Sequence, residues 1–148
     1  MICLEVLRLT SLDKDSFIWP IRVYYEDTDA GGVVYHAAYL HYMERARTEW
    51  LRHLGFEQDQ LREQTGIIFA VRHATLDYRA PARFNDQLQV ITQLTQVRRA
   101  SLLLTQQVRS VNTEAILCTG NIKIACVSYP ALRPTALPPA VRTVLHRY

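Results

Sequence analysis

The sequence predicts a single α+β domain. One stretch carries a helical apolar stripe, later stretches alternate with the period of a strand, and the two kinds are segregated along the chain. A length of 148 residues suits one domain. Hydrophobic residues at 49%, charged residues at 21% and a mean hydropathy of −0.08 point to a packed core rather than disorder. No apolar run approaches the roughly 20 residues of a spanning helix, so no membrane span is expected. The first residues lack a basic n-region and a small-residue cleavage site, and Asp13, Lys14 and Asp15 interrupt them, so no signal peptide is expected. Residues 1–18 read as an N-terminal extension, a flexible tail or an over-long start, ahead of a domain over 19–148.

Taken in order, Ile21–Tyr25 is β-branched and aromatic, follows Pro20 and predicts a first strand. Glu26–Gly32 is acidic and glycine-rich, which predicts a loop. From about Ala37 to Leu54 the period becomes helical, with Tyr39, Met43, Ala46 and Trp50 on one stripe and Gly55 as the stop. Glu57–Gln64 predicts a short second helix closed by Gly66. Ile67–Tyr78 predicts a long strand whose phase shifts near Arg72–Ala74, as at a bulge. Leu88–Leu94 and Leu102–Val108 alternate and suit a hairpin turning at Val97–Ser101. Ile116–Val127 predicts the last long strand. Four prolines from Pro130 to Pro139 then end the sheet, leaving a terminal helix at about Ala140–His146. No repeat or linker is visible.

Charge and cysteine usage exclude several functions. The net charge of +3 is mild, and a dense basic stripe with interleaved aromatics is absent, so no nucleic-acid binding is expected. The cations are almost all arginine, since only Lys14 and Lys123 are lysines, and guanidinium forks suit phosphate. Cys3, Cys118 and Cys126 are an odd count without CxxC spacing, which fits reduced thiols in a cytoplasmic protein. His36 and His41 do not reach a ligand face with His53, and no HExxH, Cys/His cluster or EF-hand spacing occurs, so no metal is expected. GxGxxG, P-loop and GxSxG signatures are absent too.

The chemistry concentrates between Tyr24 and His36, in YYEDTDAGGVVYH. Three carboxylates precede two glycines and a helix. Capping of that helix accounts for acids in this position, yet three exceed what one helix end needs. Gly31-Gly32 also lets backbone approach a ligand.

The run YYEDTDAGGVVYHAAYLHYMERART, with Asp77-Tyr78-x-x-Pro81-Ala82 further on, resembles the signature of the 4-hydroxybenzoyl-CoA thioesterase branch of hotdog proteins. Within that branch it is similar to the YbgC-type acyl-CoA thioesterases, encoded with the Tol-Pal envelope system. The likeness spans roughly Trp19 to Pro138. It implies a hotdog fold, in which a curved antiparallel sheet of about five strands wraps one long central helix. It also implies hydrolysis of acyl-CoA to free acid and CoA, with CoA as part of the substrate and no cofactor. Asp29 takes the place of the family's reacting aspartate, as nucleophile or general base. His36 takes the place of the residue at the helix N-terminus, whose backbone N–H polarises the thioester carbonyl. Its imidazole either orients water or Asp29, as the family's histidine does, or is a simple polar cap.

Other roles follow from the same resemblance. Tyr25 matches a tyrosine beside the aspartate, although a packed strand residue is an equal reading. Gly32 matches a close-approach position for substrate. Glu44 is expected to tie down the acidic loop, and Arg45 and Arg47 to be solvated or subunit-contact residues. Arg98 and Arg99 match a basic hairpin that meets the CoA phosphates, with Ala100 where some members carry a third cation, and Arg133 is a weaker phosphate position. The family pairs sheets edge to edge and commonly forms tetramers as dimers of dimers. An alternative in a different class is a carrier or scaffold at the inner membrane face that binds acyl carrier protein or phospholipid-synthesis enzymes, with weak residual hydrolysis. The basic balance suits an acidic carrier protein. A hotdog hydratase is a third option.

Overall fold

The computed structural model describes residues 15–148. Alternation in the sequence decides its sheet. The strands are β1 (Ser16–Arg22), β2 (Ile67–Tyr78), β3 (Gln87–Val97), β4 (Ser101–Ser110) and β5 (Ile116–Ser128). In β4 every second residue, from Leu102 to Val108, is buried, and Leu88, Val90 and Thr92 of β3 face the same way. The five strands form one antiparallel sheet in the order β1-β3-β4-β5-β2.

Helix α1 (Ala38–His53) covers the inner face. Its stripe of Tyr39, Met43, Ala46 and Trp50 is at most 2% exposed. Burying side chains of this size supplies about 1.5–3 kcal/mol each, which is why the stripe outweighs the chain's polar helix positions. Gly120 on β5 lets the helix sit close, because a Cβ there would lie 2.8 Å from Met43 Sδ. Helices α2 (Gln58–Thr65) and α3 (Pro139–Leu145) pack at the periphery. Val141 and Leu145 of α3 are buried, and the Tyr148 ring meets Trp50 edge-on at 5.8 Å. Cys118 and Cys126 are buried free thiols, and burial pushes both up to about 11. Among the described residues, no helix is long and apolar enough to cross a membrane.

Two expectations change. The first strand is Ser16–Arg22 rather than Ile21–Tyr25. Pro20 lies inside it, opposite Gln89, and is tolerated because β1 is an edge strand that needs no outward N–H. Tyr25 belongs instead to a 3-10 turn, Tyr25–Asp27. Of the extension expected over 1–18, residues 1–14 lie outside the described residues, whereas Ser16–Ile18 already form β1. The phase shift in β2 is a bulge, with the register breaking between Val71 and His73. The extra residue, Arg72, returns Ala74, Leu76 and Tyr78 to the face shared with Ile122, Gly120 and Cys118.

Candidate active site

The acidic loop is shaped by its own carboxylates. Asp27 Oδ2 accepts the Tyr24 N–H at 2.8 Å, and Thr28 Oγ1 donates to the Tyr25 carbonyl at 2.8 Å, which together close the 3-10 turn. The Tyr42 phenol lies buried near Asp27. Burial first, then that carboxylate, raise it above its ordinary range. Further on, Asp29 donates its N–H to the Val33 carbonyl at 2.9 Å, and Oδ1 accepts the Gly31 N–H at 2.8 Å. This is an Asx turn. Gly32, at φ 78°, supplies the left-handed residue that the reversal requires.

None of the three acids caps α1. Its N-cap is Ala37, without a side-chain hydrogen bond, and no acidic residue lies in its first turn. The capping explanation for the acidic run is thereby overturned. Among the described residues, the backbone N–H groups of His36 and Ala37 have no acceptor. They stand at the positive end of a 16-residue helix, a ready place for a developing negative charge.

Asp29 and His36 line one open groove of about 360 Å³, with Tyr39, Tyr78 and Pro81 in its wall. Tyr78 was not among the residues singled out for chemistry. It reaches across 42 positions of sequence to donate its Oη to the His36 carbonyl at 2.8 Å. Its ring packs edge-on against Tyr39 at 5.5 Å, and Tyr39 Oη accepts the Ala82 N–H at 3.2 Å. Burial, then the neighbouring Cys118, raise the Tyr78 phenol, so it stays protonated and able to donate. Tyr78, Arg79, Ala80 and Pro81, inside the Asp77-Tyr78-x-x-Pro81-Ala82 motif, thus form the second wall of the site. The motif was visible in the sequence, but the bond to His36 was not.

The structure leaves other candidates apart. Tyr25 is 81% exposed and packs edge-on against Phe84 at 5.5 Å, outside the groove wall. Glu44 accepts the Thr48 hydroxyl one turn along α1, at 2.8 Å, and makes no bond to the acidic loop, whose fastening falls to Asp27 instead. Arg47 is half-buried rather than solvated and donates to Gln106 at 2.9 Å, whereas Arg45 is exposed as expected. Arg98 and Arg99 lie at the β3–β4 turn, where Arg142 Nη2 donates to the Arg99 carbonyl at 3.2 Å. Arg133 follows β5 near the same end, its carbonyl accepting the Ser128 N–H at 2.8 Å. Ser101 pairs with Ala125, and Tyr78 with Cys118. Seven residues of β5 at roughly 3.3 Å each therefore separate the arginine end from the Asp29 end by about 23 Å.

Comparisons with known proteins agree with this architecture. A family described as a thioesterase-like superfamily matches residues 23–145. The acyl-CoA thioesterase YbgC of Haemophilus influenzae is 44% identical over 132 residues, covering 89% of this chain and 96% of its own. The Escherichia coli acyl-CoA thioester hydrolase YbgC is 48% identical over 126 residues, covering 84% and 92%. Among solved structures, a probable thioesterase from Bartonella henselae superposes with a TM-score of 0.76 at 33% identity, covering 83% of this chain and 99% of that one. A Synechocystis 1,4-dihydroxy-2-naphthoyl-CoA thioesterase shares the fold at a TM-score of 0.82 and 24% identity, over 88% and 96%. With a matching model over most of its length and relatives this similar, the chain belongs to the thioesterase-like superfamily, in its YbgC group.

Proposed function

We propose that this protein hydrolyses acyl-CoA thioesters to free acid and CoA, with Asp29 driving the attack. The observation that carries the reading is the shared groove. A fixed carboxylate, Asp29, and His36 just ahead of α1 line one space large enough for a thioester. The names of the YbgC relatives support the substrate class.

Two routes are open to the carboxylate, and they differ in where water enters. As general base, Asp29 takes a proton from water while the hydroxide forms a bond to the thioester carbon. The carbonyl electrons move onto oxygen, and the resulting oxyanion is held by the N–H groups of His36 and Ala37. Collapse restores the carbonyl and breaks the C–S bond. The thiolate leaves as CoA, taking the proton from Asp29. As nucleophile, Asp29 bonds to the carbon itself, CoA departs first, and water then opens the mixed anhydride. Neither route draws on a metal or cofactor, because CoA arrives as part of the substrate.

Arg98, Arg99 and Arg133 are the proposed phosphate grip, yet one chain holds them at the end of the sheet opposite Asp29, about 23 Å of strand away. Antiparallel pairing of two β2 edges resolves this, since it brings the Ile67 end of one copy beside the Tyr78 end of the other. The reading therefore includes a homo-oligomer in which one copy's arginines serve the other copy's aspartate.

The test is CoA release from a panel of acyl-CoAs by the wild type and Asp29→Asn. Loss of about 10²–10⁴ in kcat is expected for removal of a base or nucleophile. Unchanged turnover in the variant would remove Asp29 from the mechanism.

A further inference from the structure

A second cavity, of about 110 Å³, lies between the middle of α1 and the sheet. The sheet side is apolar, with Phe69, Val71, Leu104 and Ile124, and the helix side brings Glu44 and Arg47. Arg47 is held in place. Its Nη1 donates to Oε1 of Gln106 at 2.9 Å, and Gln106 is itself fully buried. The Gln106 amide nitrogen is locked in turn, donating to the Met43 carbonyl at 3.0 Å and to Thr92 Oγ1 at 2.9 Å.

The partner of this guanidinium is thus a neutral amide. Among the described residues Arg47 forms no ion pair and makes one hydrogen bond, although a guanidinium has about five N–H donors. Glu44, one turn earlier on the helix, is outside ion-pair range and is engaged by the Thr48 hydroxyl. A cation partly withdrawn from water without a counter-charge is unfavourable, and burial pulls the Arg47 pKa down, with Glu44 opposing. Arginine nonetheless stays charged at neutral pH. Fixed donors at an apolar wall form a geometry ready for a carboxylate, which a guanidinium binds with two parallel hydrogen bonds.

The cavity is also placed to receive a substrate's far end. Strand β2 runs past both spaces, with Tyr78 in the wall of the Asp29 groove and Val71 in the wall of the cavity. Helix α1 does the same, rising roughly 14 Å from Ala38 to Arg47. We infer that this cavity takes the distal end of the acyl group, and that Arg47 selects acyl-CoAs whose acyl chain ends in a carboxylate. The inference rests on the thioesterase reading for the direction in which the chain enters.

Binding, rather than turnover, keeps the two ideas separable. Calorimetry on the full chain would compare two non-hydrolysable thioether series of CoA, S-alkyl and S-(ω-carboxyalkyl), matched in length. At the length that reaches Arg47, the wild type is expected to bind the carboxylate-ended thioether about tenfold tighter than the alkyl one, the scale of one charge-assisted hydrogen-bonded contact. Arg47→Met, which keeps the side chain's bulk without its charge, is expected to erase that preference. Equal or tighter binding of the plain alkyl series at every length would overturn the inference in the wild type alone, without reliance on a variant that folds. A preference that survives in Arg47→Met would overturn it as well. Failure of the thioesterase reading would show itself elsewhere, as absent CoA release from any acyl-CoA.

Discussion

A single hydrogen bond across the chain fixes the geometry at the head of α1. Tyr78 Oη holds the His36 carbonyl, and because the peptide unit is planar and rigid the same bond sets the orientation of the Ala37 N–H. Tyr78→Phe keeps the ring against Tyr39 and removes only the donor. The expected result is a fall in kcat of roughly tenfold, equal to about 1.4 kcal/mol of lost transition-state stabilisation, with KM little changed. Steady-state kinetics on one acyl-CoA, with kcat normalised to the folded fraction measured by urea unfolding and near-UV circular dichroism, decides this, since a purely structural role would lower that fraction without altering the kcat of the remainder. Asp29 and His36 could be paired from the sequence because they lie seven residues apart in one loop that resembles a family signature, and both line one groove. Tyr78 was not legible as a partner of His36, because a contact that depends on the β2–β5 register leaves no local trace. Of the two readings of Arg47, solvated or subunit-contact, the first fails for a related reason. Its burial depends on Gln106, a polar residue at an inward position of β4, where alternation alone gives no hint of a locked amide.

At the scale of elements, periodicity decided most of the fold. The α1 stripe, the alternations of β3 and β4 and the apolar run of β5 predicted the elements found, and the β2 phase break is a real bulge. Where the expectation failed, at β1, local hydrogen bonds outweighed β-propensity. Val23 is buried and donates to the Asp86 carbonyl, and Asp27 then draws the Tyr24 N–H into a turn, so two tyrosines suited to a strand leave the sheet. Packing of α1 sets the stability of the domain. Trp50 is 1% exposed and lies under Tyr148, so Trp50→Ala is expected to cost about 3–5 kcal/mol. Urea unfolding, read as a lower midpoint at constant slope, checks the value.

The whole molecule poses a problem of distance, because Asp29 and the Arg98-Arg99 turn lie at opposite ends of the sheet within one chain. If two copies share each site, two damaged variants should repair one another. Asp29→Asn mixed with the double variant Arg98→Ala, Arg99→Ala, after subunit exchange, is expected to recover up to about a quarter of wild-type turnover, because half the pairs are mixed and each mixed pair has one intact site. Activity that never exceeds the sum of the separate variants would show that each site is built from one chain. The bulge at Arg72 bears on how such copies find each other. Both sheet edges are guarded, β1 by Pro20 and β2 by the bulge, which splits the longer edge into Ile67–Val71 and His73–Tyr78. A passing unfolded segment zips poorly along that broken ladder, whereas in the proposed oligomer a second copy would carry the same break. Arg72 thereby acts as a gatekeeper against misassociation. Deleting it should leave the inward side chains facing inward yet straighten the edge, and the variant is expected to scatter light on concentration where the wild type stays clear.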